Sequence, residues 1–190
     1  LHLWVSEAAS EGKTNITCTV KTTRGDMEAH VMLRVYPVTI PEPADSAFGH
    51  EYFFCDTGFF PPEGKTWEPP VKPFYDTYRY SDEWWSLMTS YARTMKMMRV
   101  NSLNITPIDF LIDAGSRRVS ATEWYFDFSL LDRFIELFLR EGSFRYLTMC
   151  AQIAPVFGNT VLCFDEQGAI VRYEIGTQDA EQWARNFWSA

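Results

Sequence analysis

Between residues 51 and 151, short apolar runs alternate with stretches of helical periodicity, and this alternation limits the fold more than any other feature. Residues 51–55 (EYFFC) form a nearly continuous apolar run, the pattern of a buried parallel strand. Ser81 then offers an N-cap, with Asp82 and Glu83 placed to complement the helix dipole. Trp84, Leu87, Met88, Tyr91, Met95 and Met98 recur on one helical face. Arg93, Lys96 and Arg99 load the other end of that helix with the matching charge. Residues 100–105 (VNSLNI) predict the next strand, and Ser129 caps a second amphipathic helix over 130–140, with Asp132 completing an approximate capping box. Gly142 stops that helix in the place of a left-handed C-terminal residue. Residues 144–151 predict a third strand. Strand, helix, strand, helix, strand implies a parallel sheet with right-handed crossovers.

The flanks have a different rhythm. Residues 15–20 and 28–38 alternate with a period of two, with Val31, Leu33 and Val35 opposed to His30, Met32 and Arg34, as in half-buried strands. Residues 22–26 read as the turn between them. Two or three strands cannot bury a core alone, so they read as the last strands of a β-sandwich. Pro41 and Pro43 break the pattern, giving expected domains of 1–40 and 41–190. Past the third strand a hairpin is expected, turning at residues 165–168. A last helix with Ala180, Trp183, Ala184 and Phe187 on one face runs to Ala190. The expected fold class is α/β: the first units of a (β/α)8 barrel of the TIM type preceded by the end of a β-sandwich, in an incomplete chain.

Composition excludes some functions. A net charge of −8 lacks the concentrated Lys and Arg that nucleic acid or an anionic membrane surface would need. No apolar run is long enough to span a bilayer. Cys18, Cys55, Cys150 and Cys163 have no metal-ligand spacing, so neither a metal site nor a cofactor is expected. Aromatic residues make up 16% of the chain, with 7 Trp. Sugars bind on aromatic faces, but cores use the same residues.

Three phrases in order, LRVYPVTIPE, SDEWWSLMTSYARTMKMMRVN (with Arg99 and Asn101 at its strand start) and FDFSLLDRFIELFLREG, resemble glycoside hydrolase family 123 from about Thr14 onward. The resemblance implies a β-sandwich leading into a catalytic barrel, a carbohydrate substrate, no cofactor and a secreted or periplasmic setting. Characterised members of that family are retaining β-N-acetylgalactosaminidases in which the sugar's acetamido oxygen attacks the anomeric carbon. An adjacent Asp–Glu pair orients the acetamide and protonates the leaving oxygen. The resemblance places that pair on a later barrel strand, beyond Ala190.

Barrel active sites lie at the C-terminal ends of strands. That rule nominates Asp56, Thr106 and Gln152 as substrate-binding residues. Trp67 and Trp124, in the long loops on the same face, are candidates for stacking on sugar. Asp165–Glu166 reads as a turn, and Asp82–Glu83 as the first turn of a helix. A non-catalytic carbohydrate-binding or scaffold module is the alternative function. An aldolase or isomerase would call for a phosphate-binding Gly-rich loop or a strand lysine, and neither is present. Nothing in the residues fixes the oligomeric state.

Overall fold

Alternation with a period of two becomes a long hairpin at the start of the chain. In a computed structural model, which describes residues 3–54, 75–149 and 160–190, strand β1 (Gly12–Thr22) pairs antiparallel with β2 (Gly25–Val35). The register runs without a break from Gly12↔Val35 to Thr22↔Gly25. Thr22 closes the turn: its hydroxyl donates to Gly25 O (2.7 Å) and accepts the Arg24 N–H (3.1 Å). Ile16, Cys18, Val31, Leu33 and Val35 are half-buried, while their neighbours in sequence are exposed. The chain divides into two compact units, Leu1–Pro41, which holds this hairpin, and Glu42–Ala190.

The second unit begins with a single 3-10 turn, Pro43–Asp45, and strand β3 (Glu51–Phe54). Helix α1 (Asp82–Met97) is capped by the Ser81 hydroxyl, which accepts the Trp84 N–H at 3.2 Å. Tyr80, just before the cap, packs against Trp85 at a centroid distance of 6.1 Å, a hydrophobic staple that fixes how the chain enters the helix. Strand β4 (Ser102–Ile105) follows. Residues 106–128 are not the plain loop that the sequence suggests. They contain a short helix α2 (Ile108–Asp113) and a small antiparallel pair, β5 (Arg117–Arg118) and β6 (Trp124–Tyr125). Helix α3 (Ser129–Glu141), strand β7 (Tyr146–Met149), the hairpin β8 (Thr160–Phe164) with β9 (Ile170–Glu174), and helix α4 (Gln178–Ser189) complete the unit.

The molecule is thus mixed α/β. β3, β4 and β7 form a parallel sheet in sequential order, with Glu51, Ser102 and Tyr146 side by side at its lower edge. Among the described residues the sheet is open and three strands wide. Helices α1 and α3 cover one face, burying Trp84, Met88, Phe134 and Phe138 against Leu103 and Ile105. A second core joins α2, β6, β8 and α4 through Ile108, Leu111, Trp124, Phe164 and Trp183.

Three local expectations are corrected. Ser129 is the first residue of α3 rather than its cap, and the Asp127 carboxylate takes its N–H at 2.9 Å. Gly142 ends α3 with extended, not left-handed, backbone (φ −91°, ψ −158°). Met98 caps the end of α1 and is exposed instead of joining its apolar face.

Candidate functional site

Alternation along β4 sends Leu103 and Ile105 into the helix-covered core. Ser102 and Asn104 therefore belong to the opposite face of the sheet. The register places Glu51 beside Ser102 on one side, and Tyr146 and Thr148 beside Ser102 and Asn104 on the other. Strands of a parallel sheet are usually apolar on both faces, but here β4 gives the second face Ser102 and Asn104.

Glu51 organises it. One carboxylate oxygen accepts from Asn104 Nδ2 at 3.0 Å, and the other receives the weaker 3.4 Å contact of the Ser102 hydroxyl. A carboxylate only accepts, so the amino end of Asn104 must face Glu51. The opposite end, Oδ1, is buried with no hydrogen-bond partner among the described residues. Thr148, beside Asn104 in register, is exposed. Fixed acceptors beside hydroxyl groups suit a neutral, hydroxyl-bearing ligand, and the Glu51 charge disfavours an anion.

Thr106 stands where the sequence puts it, half-buried just past the C-terminal end of β4 and two residues on from Asn104. Asp56, Trp67 and Gln152 lie outside the described residues. Trp124 is a core residue, 6% exposed. Its indole N–H donates to Phe164 O at 3.1 Å, its ring meets Trp183 edge to face, and the Arg118 guanidinium lies 4.8 Å above it. No ring face is left open for a sugar.

Sequence reasoning missed Glu51, Ser102 and Asn104. The polar alternation in VNSLNI is the signal for Ser102 and Asn104, and it lies within the strand rather than at its end. Asn101, one residue before β4, has a different task. Its Oδ1 accepts the His50 N–H (2.7 Å), and its Nδ2 donates to Pro43 O (2.8 Å) and Phe48 O (2.9 Å). Its backbone carbonyl takes the N–H groups of Arg145 and Tyr146. These bonds tie the starts of β3, β4 and β7 together at the N-terminal end of the sheet.

A second polar cluster lies between the segment before α1 and the end of α2. Arg79 Nη1 and the Tyr80 hydroxyl both donate to Asp113 Oδ2 at 2.8 Å. Burial pushes the Tyr80 phenol well above its ordinary value, against the opposing effect of Arg79. Tyr80 also holds a left-handed backbone (φ 64°), which the staple and this brace together maintain.

Among the described residues, no group of three or more His, Cys, Asp or Glu could hold a metal ion, and no helix is long and apolar enough to cross a membrane. Fold and site together define a mixed α/β protein with a parallel sheet covered by helices on one face and carrying the Glu51–Ser102–Asn104 cluster on the other. No protein-family model matches the chain, and a search of curated proteins finds no match to it.

Proposed function

We propose that the chain is part of a glycoside hydrolase resembling family 123. In this reading β3, β4 and β7 are the first three strands of a (β/α)8 barrel, and the β1–β2 hairpin is the end of a β-sandwich. Parallel strands in sequential order, with α1 and α3 packed on the same face, support the barrel reading. The apolar stripe of the hairpin supports the sandwich reading, because such a stripe normally packs on a second sheet.

The observation that carries a carbohydrate ligand is the Glu51–Ser102–Asn104 cluster on the face that would line the barrel. Barrel interiors are ordinarily filled with branched apolar side chains. A polar interior leading up to Thr106 is suited to hydroxyl groups. The substrate class is a β-linked N-acetylgalactosaminide, and the setting is secreted or periplasmic, both on the family resemblance.

The acids that break the bond belong to a later strand. Asp82 and Glu83 occupy the first turn of α1. Asp165 Oδ1 is taken up by the N–H groups of Gln167 and Ala169 in the β8–β9 turn. This use of both Asp–Glu steps in local structure also favours the second reading, a non-catalytic carbohydrate-binding module.

Calorimetric titration of the 190-residue chain with N-acetylgalactosamine, galactose and glucose tests the carbohydrate reading. Saturable binding of N-acetylgalactosamine is expected, with no turnover of a chromogenic N-acetylgalactosaminide. A folded chain that binds none of the three removes the reading. Turnover by the chain alone would show that its catalytic acids have been misplaced.

A further inference from the structure

We propose that Asn104 is a specificity-determining residue of the sugar site, oriented by Glu51 so that its Oδ1 accepts the proton of one ligand hydroxyl. The inference rests on the carbohydrate reading above and deepens it.

The two asparagines at β4 make the case by contrast. Asn101 shows how this fold satisfies a buried amide whose task is structural, with backbone groups occupying both ends of the side chain. Asn104 differs. Its amino end is fixed by one charge-assisted bond to Glu51, and its carbonyl end is buried and unpaired among the described residues. Leaving a buried carbonyl unpaired forfeits its hydration without replacement, so a partner is normally found.

Flipping the amide would not relieve the orphan, because two acceptors would then face each other across the Glu51–Asn104 contact. The missing partner must therefore be a donor. Thr148 is adjacent to Asn104 in register and exposed. A sugar hydroxyl can donate to Asn104 and accept from Thr148 at once, which an ether oxygen or a deoxy carbon cannot do. Glu51 reaches the ligand only through Asn104 and is a positioning residue.

The experiment measures N-acetylgalactosamine and its monodeoxy analogues by calorimetry on wild type, Asn104→Ala, Glu51→Ala and Glu51→Gln, with thermal melts to verify folding. Asn104→Ala is expected to weaken N-acetylgalactosamine about tenfold, the scale of one good hydrogen bond. One monodeoxy analogue should lose about tenfold on wild type and nothing further on Asn104→Ala, since the two changes remove the same bond. Glu51→Ala should weaken binding similarly. Glu51→Gln keeps an acceptor for Asn104 Nδ2 and should restore most of the affinity, which a merely structural role would not predict.

Equal affinity of wild type and Asn104→Ala overturns the inference while leaving the carbohydrate reading intact. So does a monodeoxy series that loses affinity equally on both proteins. A wild-type chain that binds no sugar overturns both. Should Asn104→Ala fail to fold, Asn104→Ser and a crystal structure with bound sugar decide the question. A water retained at Oδ1 with the sugar in place would refute the assignment.

Discussion

At the scale of single residues, two side chains carry more of the fold than their neighbours. Asn101 is 1% exposed and meets three backbone groups from a segment more than fifty residues earlier. Asn101→Ala would leave all three without those partners. The expected cost is about 2–4 kcal/mol, read as a lowered urea midpoint with unchanged slope. Asn101→Asp should cost a similar amount, because a carboxylate cannot donate to Pro43 O or Phe48 O. Arg118 does the same work in the second core. It donates to Ser120 O, Ala121 O, the Tyr173 hydroxyl and Asp179, and its guanidinium covers Trp124. A lysine has one compact charge in place of a planar fork. Arg118→Lys is therefore expected to lower stability by roughly 1–3 kcal/mol, with most of the loss in hydrogen-exchange protection at β9 and α4. Uniform loss of protection across both cores would show that Arg118 is not local to the second.

At the scale of elements, the two helix C-termini exchange the usual roles of glycine. Helix α1 ends with the 6→1 and 5→2 bonds, Val100 N to Met95 O and Arg99 N to Lys96 O. The left-handed position is held by Arg99 (φ 63°), whose Nη2 is buried and unpaired among the described residues. Arg99→Gly should stabilise by about 1 kcal/mol, the left-handed penalty of a residue with a Cβ. Gly142, after α3, has ordinary negative φ but no room: a Cβ would lie 2.4 Å from the Phe144 ring and 2.6 Å from Phe138 O. Gly142→Ala should destabilise by about 1–3 kcal/mol, so the two substitutions have opposite signs in the same denaturation assay. The ends of α3 also respond to acid. The Ser129 hydroxyl and amide hold Asp127 below the usual carboxylate range, and Arg140 and Arg93 do the same for Glu141. A carboxyl with a lower value folded than unfolded contributes stability that is complete above the unfolded value, about 4, and is lost as pH falls through the folded one. Urea midpoints should hold steady from neutral pH to about 5 and then decline. Asp127→Asn with Glu141→Gln should flatten that decline, and an unchanged slope would contradict it. Helix α1 was legible because cap, dipole charges and periodicity agree over sixteen residues. Helix α2 was not, since six residues after Pro107 carry little local signal and Ile108 and Leu111 are held by the second core. The place of Thr106 after the end of β4 was legible from the strand pattern. Asn104 and Glu51 meet across fifty-three residues of sequence, and only strand register reveals that pairing.

At the scale of the whole molecule, the two units differ in what they can bury. Among the described residues, Glu42–Ala190 contains both cores, whereas Leu1–Pro41 contains one hairpin. That hairpin has complete backbone pairing over eleven positions, yet Val20, Met27 and Met32 remain exposed and its most apolar positions are only half-buried. Backbone hydrogen bonds exchanged against water contribute little net stability, and two strands are marginal without a layer to cover them. The long regular ladder is therefore not the stable part of this chain. Amide exchange should reveal the difference directly. Residues 13–35 are expected to exchange through local opening, with protection far below that of Met88 and Ala92 in α1, which should follow global unfolding. The sandwich reading adds a second expectation: supplying a further β-sheet domain N-terminal to the chain should raise protection in the hairpin and leave α1 unchanged. Hairpin amides as slow as those of α1 in the 190-residue chain would mean that β1 and β2 already have their covering layer, and the sandwich would then lose its physical motive.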